Sequence, residues 1–279
     1  GNAAAETLRQ EGYCGRITML SADTSVPYDR PTLSKAYLAG MAPVESIPLR
    51  SKGFYAEHDI TVKLRAPVAT IETMSRQVHL ADGTRHPYDV LLLATGAEPI
   101  RLDLPGSDLP HVHYLRTLAD SRALVAKALT SQRAVVMGAS FIGLEVAASL
   151  RTRNIEVHVV APGTLPMEKV LGTKVGRFIR KLHEQHGVTF HLGTVAASID
   201  ERGVTLQNGE HLPADLVVIG VGVRPSISLA EKAGLAIDRG ITVDEYLEAS
   251  IPGIFAAGDV ARWPDRLTGE RIRVEHWVV

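Results

Sequence analysis

The chain has 279 residues, which is enough for about two domains of roughly 150 residues each. Its composition, 45% hydrophobic and 22% charged with 24 glycines, is that of an ordinary globular protein and excludes a disordered or fibrous chain. Thirty basic residues against 31 acidic residues give a net charge of −1, so we expect no nucleic-acid partner and no attraction to anionic lipid. No apolar run approaches the roughly 20 residues of a membrane span. The single cysteine, Cys14, excludes a disulfide within the chain and predicts a reducing, cytoplasmic location.

Apolar, β-branched runs alternate with helical patterns, which favours an α/β architecture with parallel sheets. Strands are predicted, in chain order, at 16–20, 90–94, 134–137, 156–160 and 216–219. Helices are predicted at 3–10, 120–129, 142–151 and 175–186. Hairpin turns are predicted at Asp82-Gly83 and Asn208-Gly209. Thr117 and Asp120 have the spacing of a capping box.

The predicted helix at 175–186 is amphipathic. Lys174, Arg177 and Lys181 follow one side, whereas the other side carries Leu171, Val175, Phe178 and Leu182. A basic docking surface and a solvated face are both open, and the pattern favours a solvated face.

The strongest local signal is the predicted strand at 134–137, which leads through Gly138, Ser140 and Gly143 into a helix. This strand, glycine turn and helix are the context of a dinucleotide-binding fingerprint, in which the helix N-terminus binds pyrophosphate. Ser140 stands where the fingerprint normally has its second glycine. A tight turn without any ligand is the alternative.

The residue after the next predicted strand normally binds the ribose of the dinucleotide. Here that residue is Ala161, which cannot bind a ribose, and no arginine stands beside it to hold a 2′-phosphate. Glu156 lies at the wrong end of the strand. The choice between NADH and NADPH therefore stays open.

Fragments of a second nucleotide site lie at the beginning of the chain. Gly1 has the position of the last glycine of another fingerprint, and Asp23 follows the strand at 16–20 as a ribose-binding acid would. A purely structural, helix-opening glycine is the alternative. Because the chain opens abruptly in a helix and ends on an apolar run, we expect an internal fragment.

Two histidine pairs raise the question of a metal site. His183 and His186 are one residue too close for the zinc spacing, and His111 and His113 have no third ligand nearby in the sequence. We expect both pairs to be solvated and predict no metal site.

Four separated motifs then appear in order, at 27–35, 94–96, 253–259 and 274–277. Together they resemble the FAD-dependent pyridine-nucleotide oxidoreductases, in the branch of the ferredoxin reductases and the apoptosis-inducing-factor-like proteins. The resemblance covers essentially the whole chain. It implies an α/β fold of two Rossmann-like domains, one for FAD and one for NAD(P)H.

The resemblance also implies the domain limits. The FAD-binding domain would span 1–109 and resume at 240–279, with the NAD(P)H-binding domain inserted at 110–239. By the same comparison, the first strand and a C-terminal domain after Trp277 are missing.

The residues at the cofactors follow from the resemblance too. Lys35 would lie beside the flavin ring, Glu145 would face nicotinamide and that lysine, and Trp277 would lie by the isoalloxazine; these three are the implied catalytic residues. A surface lysine, a carboxylate that favours the helix dipole and a core tryptophan are the alternatives. The residues expected to bind the cofactors are Gly1, Asp23, Arg30, Lys35, Ala94, Thr95, Gly96, Gly138, Ser140, Gly143, Gly258, Asp259, Glu275, His276 and Trp277.

The cysteine count separates branches of this superfamily. Disulfide reductases need a cysteine pair, and other branches use one cysteine near the flavin, but Cys14 precedes the Lys35 segment. The resemblance therefore implies a reductase that takes hydride from NAD(P)H onto FAD and passes electrons to an iron–sulfur carrier such as ferredoxin, rubredoxin or a Rieske-type protein. A flavin-bound, NADH-responsive redox sensor with slow turnover is the alternative. A homodimer is also open.

Overall fold

The computed structural model describes residues 1–51 and 53–273. Glu275, His276 and Trp277, which the sequence places at the cofactors, lie outside the described residues. The helices are α1 (Asn2–Gln10), α2 (Phe54–Glu57), α3 (Leu118–Ala128), α4 (Phe141–Thr152), α5 (Glu168–Gln185) and α6 (Ser228–Lys232). The first ten strands are β1 (Ile17–Leu20), β2 (Ile60–Lys63), β3 (Val68–Glu72), β4 (Gln77–Leu80), β5 (Arg85–Pro87), β6 (Leu91–Leu93), β7 (Ala97–Pro99), β8 (Val112–His113), β9 (Arg133–Met137) and β10 (Glu156–Ala161). The remaining strands are β11 (Val188–Leu192), β12 (Ala196–Asp200), β13 (Gly203–Leu206), β14 (His211–Pro213), β15 (Leu216–Ile219), β16 (Val223–Pro225), β17 (Ile241–Thr242), β18 (Ile254–Ala256), β19 (Ala261–Pro264) and β20 (Arg271–Ile272).

The predicted strands and turns are present. All five predicted strands form, with ends within one residue of the prediction. The turns at Asp82-Gly83 and Asn208-Gly209 join β4 to β5 and β13 to β14, with a positive φ at both glycines. Thr117 and Asp120 form the predicted capping box at the start of α3.

The chain folds as two compact units. The first comprises 1–28, 48–98 and 224–279, and the second comprises 29–47 and 99–223. The borders of these units fall at other residues than the predicted domain limits. Those limits concern cofactor-binding domains and stay a prediction.

The second unit is built on a five-stranded parallel sheet with the order β11-β10-β9-β15-β8. The chain winds outward from β9 through β10 to β11, whereas β15 lies on the other side of β9. The gap between β9 and β15 is therefore a topological switch point, where α/β sheets bind ligands at the carboxyl ends of their strands. An apolar core joins one face of this sheet to the antiparallel strands β12, β13 and β14.

The first unit contains two parallel strand pairs, β1 with β2 and β6 with β18. It also contains the antiparallel sheet β3-β4-β5 and the strands β17, β19 and β20. Its core gathers buried side chains from β3, β4, β6, β17 and β18. No helix in the described part of the chain is long and apolar enough to cross a membrane.

Helix α5 differs from the prediction in its start. It begins at Glu168, seven residues before the predicted start, and Gly172 interrupts its helical geometry with a φ of 76°. The four apolar residues of the predicted amphipathic pattern are exposed, from 40% to 65%: Leu171, Val175, Phe178 and Leu182. Of the residues in this helix only Gly176 is buried, and Lys174, Arg177 and Lys181 are exposed as well, so both sides of the helix are solvated.

The prediction of solvated histidines is wrong for His111 and His113. Their Nε2 atoms are buried and have no hydrogen-bond partner among the described residues. The reason is that His113 is the last residue of β8 and His111 directly precedes this strand, which pairs with the fully buried β15.

Candidate active site

The glycine turn after β9 lies at the switch point of the second unit. A Cβ built on Gly138, whose φ is +116°, would lie 2.3 Å from the carbonyl oxygen of Gly220, directly after β15. A Cβ on Gly143 would lie 2.1 Å from the carbonyl oxygen of Gly138. Backbone therefore approaches backbone at both positions, and only glycine fits.

Ser140 is the N-cap residue of α4. Its side chain makes no capping hydrogen bond and is exposed. The first N–H groups of α4 therefore keep their hydrogen-bonding capacity for an anion, and the helix dipole favours negative charge there. This donor set fits a pyrophosphate.

Ala161 is the last residue of β10 and is 5% exposed. Glu156 lies at the opposite end of the strand, where its carboxylate is 3.0 Å from His158 Nε2. The position that normally holds the ribose acid thus offers only a methyl group, and the geometry favours neither NADH nor NADPH.

Lys35 and Glu145 form an ion pair. The distance from Lys35 Nζ to Glu145 Oε1 is 2.9 Å, and the two side chains are 51% and 28% exposed. Both residues lie in the second unit, although the sequence assigned them to different domains. An ion pair this exposed contributes about 0–1 kcal/mol and does not fix one geometry by itself.

Ser34 supplies a second contact to the same carboxylate. Its Oγ donates to Glu145 Oε2 over 2.6 Å, and the residue is 6% exposed. Hydrogen bonds to an ionised acceptor are short and strong. Both oxygens of Glu145 are therefore engaged, one by a hydroxyl and one by an ammonium group.

The sequence analysis missed the residues that hold the segment around Lys35. Ser149 Oγ donates to the Ser34 carbonyl over 2.7 Å, and Ser121 Oγ donates to the Leu33 carbonyl over 2.8 Å. The Arg153 side chain donates to the Leu38 carbonyl. One signal could have found two of them, since Glu145, Ser149 and Arg153 recur every four residues along α4 and so share one face.

The loops predicted to bind FAD meet within the first unit. β6 and β18 are adjacent and parallel, so the segments that follow them, 94–96 and 257–259, leave the same edge of the pair. The Ala257 amide donates to the Leu93 carbonyl, and the Thr95 hydroxyl donates to the Ser226 carbonyl over 2.8 Å. Gly258 has a φ of +77°, and a Cβ built on it would have no heavy atom of the described chain within 4 Å.

Two further residues predicted to bind FAD lie in the same unit. Gly1 is the N-cap of α1 and its built Cβ would be 3.5 Å from Ala94 Cβ, so these two predicted residues are neighbours. Asp23 follows β1 and accepts hydrogen bonds from the Tyr28 hydroxyl, at 2.6 Å, and from the Ser25 amide.

Arg30 belongs to the second unit instead. It is exposed, and its guanidinium donates to the Arg116 carbonyl over 2.7 Å. The structure thus brings Gly1, Ala94, Thr95, Gly96, Gly258 and Asp259 into one unit, and Lys35, Gly138, Ser140, Gly143 and Glu145 into the other. The roles of these residues at a cofactor stay predictions.

A glycine turn at a switch point, an uncapped helix start and a second set of open loops define an α/β protein that binds dinucleotides. The pyridine nucleotide-disulphide oxidoreductase family matches residues 1–278. The chain belongs to this family, whose ferredoxin–NAD(+) reductase members imply FAD and NAD(H) as cofactors.

Individual relatives point to one branch of the family. The chain is 41% identical over 269 residues to rhodocoxin reductase of Rhodococcus erythropolis, covering 95% of this chain and 63% of that protein. It is 38% identical to the ferredoxin–NAD(+) reductase component of the biphenyl dioxygenase system of Paraburkholderia xenovorans, covering 97% and 67% of the two chains. The crystal structure of the covalent putidaredoxin reductase–putidaredoxin complex matches with a TM-score of 0.95 at 36% identity, over 99% of this chain and 68% of the other. The chain therefore spans about two thirds of the length of these relatives.

Proposed function

We propose that this chain carries the two cofactor-binding parts of a flavoprotein reductase, which takes hydride from NAD(P)H onto FAD and passes electrons singly to an iron–sulfur carrier. The observation that carries the proposal is the ion pair of Lys35 and Glu145, 2.9 Å apart, in which Glu145 belongs to a helix that starts at a glycine turn of the dinucleotide-binding type. The buried Ser34 bonds the same carboxylate, so Glu145 is held more firmly than in an isolated surface ion pair.

The residues divide into two sets by what they would hold. The first N–H groups of α4, after Gly138 and Ser140, would bind the pyrophosphate of NAD(P)H. The residues that would hold FAD are Gly1, Asp23, Arg30, Ala94, Thr95, Gly96, Gly258 and Asp259, with the family resemblance adding Glu275, His276 and Trp277. FAD, when bound, supplies an acceptor for hydride and a donor of single electrons.

Lys35 and Glu145 would act on the reacting end. An ammonium group beside the flavin favours the negative charge that builds up on reduction, and the carboxylate of Glu145 keeps that ammonium group charged and oriented. Ser34 fixes the carboxylate in turn.

The proposed partner is a small iron–sulfur protein. Support comes from the relatives, whose names include reductases of rhodocoxin, rubredoxin and putidaredoxin, and from the structure of putidaredoxin reductase in complex with putidaredoxin. A homodimer and a cytoplasmic location stay predictions.

A redox sensor with slow turnover is the second candidate. The departures at Ser140 and Ala161 favour it, because both weaken the expected contacts to the dinucleotide.

The test is rapid mixing of the FAD-loaded protein with NADH and with NADPH while flavin absorbance is followed. Fast bleaching, followed by transfer to an oxidised ferredoxin or rubredoxin, is expected of the reductase. Slow formation of a long-lived charge-transfer absorbance without transfer would contradict the reductase and support the sensor.

A further inference from the structure

Helix α4 contacts the Lys35 segment through three polar side chains that share one face. Glu145, Ser149 and Arg153 project from successive turns of α4 and its C-cap, and each bonds a group between residues 34 and 38. The neighbouring residues Val146, Ala147 and Leu150 are buried and apolar. This face of α4 therefore lies along the segment and makes one polar contact with it at each helical turn.

Ser149 bonds the backbone of the segment rather than a side chain. Its Oγ lies 2.7 Å from the Ser34 carbonyl oxygen and 3.3 Å from the Lys35 carbonyl oxygen, so its single proton goes to Ser34. A serine inside a helix often bonds the carbonyl of its own helix four residues back. Ser149 instead donates to a residue 115 positions away in the sequence, so the contact is tertiary.

The Ser34 end of the segment is buried, whereas the Lys35 side chain is half exposed. Ser34 and Ser149 are 6% and 5% exposed, whereas the Lys35 side chain is 51% exposed. Solvent screens the ion pair but leaves the buried hydrogen bond intact. The direction in which Lys35 leaves the backbone is thus set by the Ser34 peptide group and not by the charge attraction.

We propose that Ser149 is a positioning residue for the Lys35–Glu145 pair. Its hydroxyl fixes the Ser34–Lys35 peptide group. The Ser34 hydroxyl and the Lys35 ammonium group are then placed to contact the two carboxylate oxygens of Glu145, which lies four residues before Ser149 on α4. This proposal rests on the proposed function for its catalytic consequence, but its geometric content concerns this chain alone.

The chain offers a matched control. Ser121 is also fully buried and also donates to a carbonyl of the segment, but to Leu33 and from α3. Ser121→Ala therefore removes a hydroxyl of the same kind without releasing the peptide group next to Lys35. A merely structural role for both serines predicts equal effects of the two substitutions.

Two readouts test the proposal, one of them independent of turnover. In the cofactor-free protein, Lys35 is acetylated with acetic anhydride and quantified by peptide mass spectrometry. In the FAD-loaded protein, flavin reduction is measured at saturating NADH, together with the dissociation constant of NADH. Thermal unfolding verifies that each variant is folded, and Ser149→Cys, which fills the same space with a weaker donor, replaces Ser149→Ala if that variant does not fold.

Ser149→Ala is expected to raise the acetylation rate of Lys35 several-fold and to slow flavin reduction by about ten- to a hundredfold with little change in NADH affinity, because small misplacements of a catalytic group are costly. Ser149→Thr, which keeps the hydroxyl, and Ser121→Ala are expected to stay close to the unsubstituted protein in both readouts. Unchanged acetylation in Ser149→Ala, or equal slowing by Ser149→Ala and Ser121→Ala, would overturn the proposal. Failure of the unsubstituted protein to reduce flavin would contradict the proposed function instead, and acetylation would still decide the role of Ser149.

Discussion

Glu145 receives a hydroxyl proton on one oxygen and an ammonium group on the other, at 2.6 and 2.9 Å. Removing either group leaves one oxygen of this carboxylate, which is 28% exposed, without its hydrogen-bond donor. The effects of substituting Lys35 and Glu145 should therefore not be additive, as is usual for residues in contact.

A double-mutant cycle on the rate of flavin reduction measures this coupling. We expect Lys35→Ala to slow the reaction by about ten- to a hundredfold, which corresponds to about 1.4–2.8 kcal/mol of barrier. The double variant Lys35→Ala, Glu145→Gln should lose less than the sum of the two single losses. A coupling energy below about 0.3 kcal/mol would mean that the residues act independently.

The cofactor preference can be tested at a single position. Ala161 ends β10 where a ribose acid normally stands, so Ala161→Glu should shift the ratio of kcat/KM toward NADH, through a bond to the 2′-hydroxyl and repulsion of a 2′-phosphate. Ala161→Gln is the matched control, because it adds the same bulk at this buried position without the charge. An equal ratio in both variants would show that residue 161 does not face the ribose.

Helix α3 shows how local sequence signals can fix an element. Thr117 accepts from the Asp120 amide over 3.1 Å, and Asp120 accepts in return from the Thr117 amide over 2.8 Å. The two residues are only three positions apart, so the pattern could be recognised in the sequence. The turns at Gly83 and Gly209 are local in the same sense.

Thr117→Ala should lower the free energy of unfolding by about 1 kcal/mol, because one amide at the start of α3 loses its acceptor. Thr117→Ser keeps the acceptor and is expected to unfold close to the unsubstituted protein in urea. Equal midpoints for Thr117→Ala and Thr117→Ser would show that the box does not stabilise the helix.

The same comparison explains which elements could not be predicted. The acceptors of Ser149, Ser121 and Arg153 lie 88 to 115 residues away in the sequence, so the four-residue spacing along α4 can indicate a shared face but not which groups its side chains bond. The start of helix α5 was predicted too late, because its first turn precedes Gly172, whose positive φ interrupts the helical geometry. The strands and the glycine turn could be predicted, because a buried strand requires apolar residues and a tight turn requires glycine at fixed positions of the local sequence.

At the scale of the whole molecule, two half-buried histidines oppose folding in acid. Burial lowers the pKa of His113 below its usual value of 6.5, the nearby charges of Lys127 and His111 lower it further, and Asp120 acts in the opposite direction. Burial and His186 also lower the pKa of His183. The unfolded chain therefore binds protons more readily than the folded one just below pH 6.5, so stability is present above this pH and is lost as the pH falls toward the lowered values.

Urea unfolding between pH 7.5 and 5 tests this dependence. His113→Gln removes one such group and should flatten the decline in the free energy of unfolding on the acid side. His58→Gln, at an exposed position, is the control and should leave the slope unchanged. A slope that is the same in the unsubstituted protein and in His113→Gln would show that another group drives the loss.

Residues 29–47 fold with residues 99–223, far from them in the sequence, and this affects how the protein can be recombined with its relatives. A chimera that exchanged only 99–223 would bring in a foreign α4 opposite a native Lys35 segment. The side chains at positions 121 and 149, which bond the Leu33 and Ser34 carbonyls here, would then come from the relative. A chimera that keeps these contacts must therefore exchange both 29–47 and 99–223, although 29–47 contains no strand of the parallel sheet.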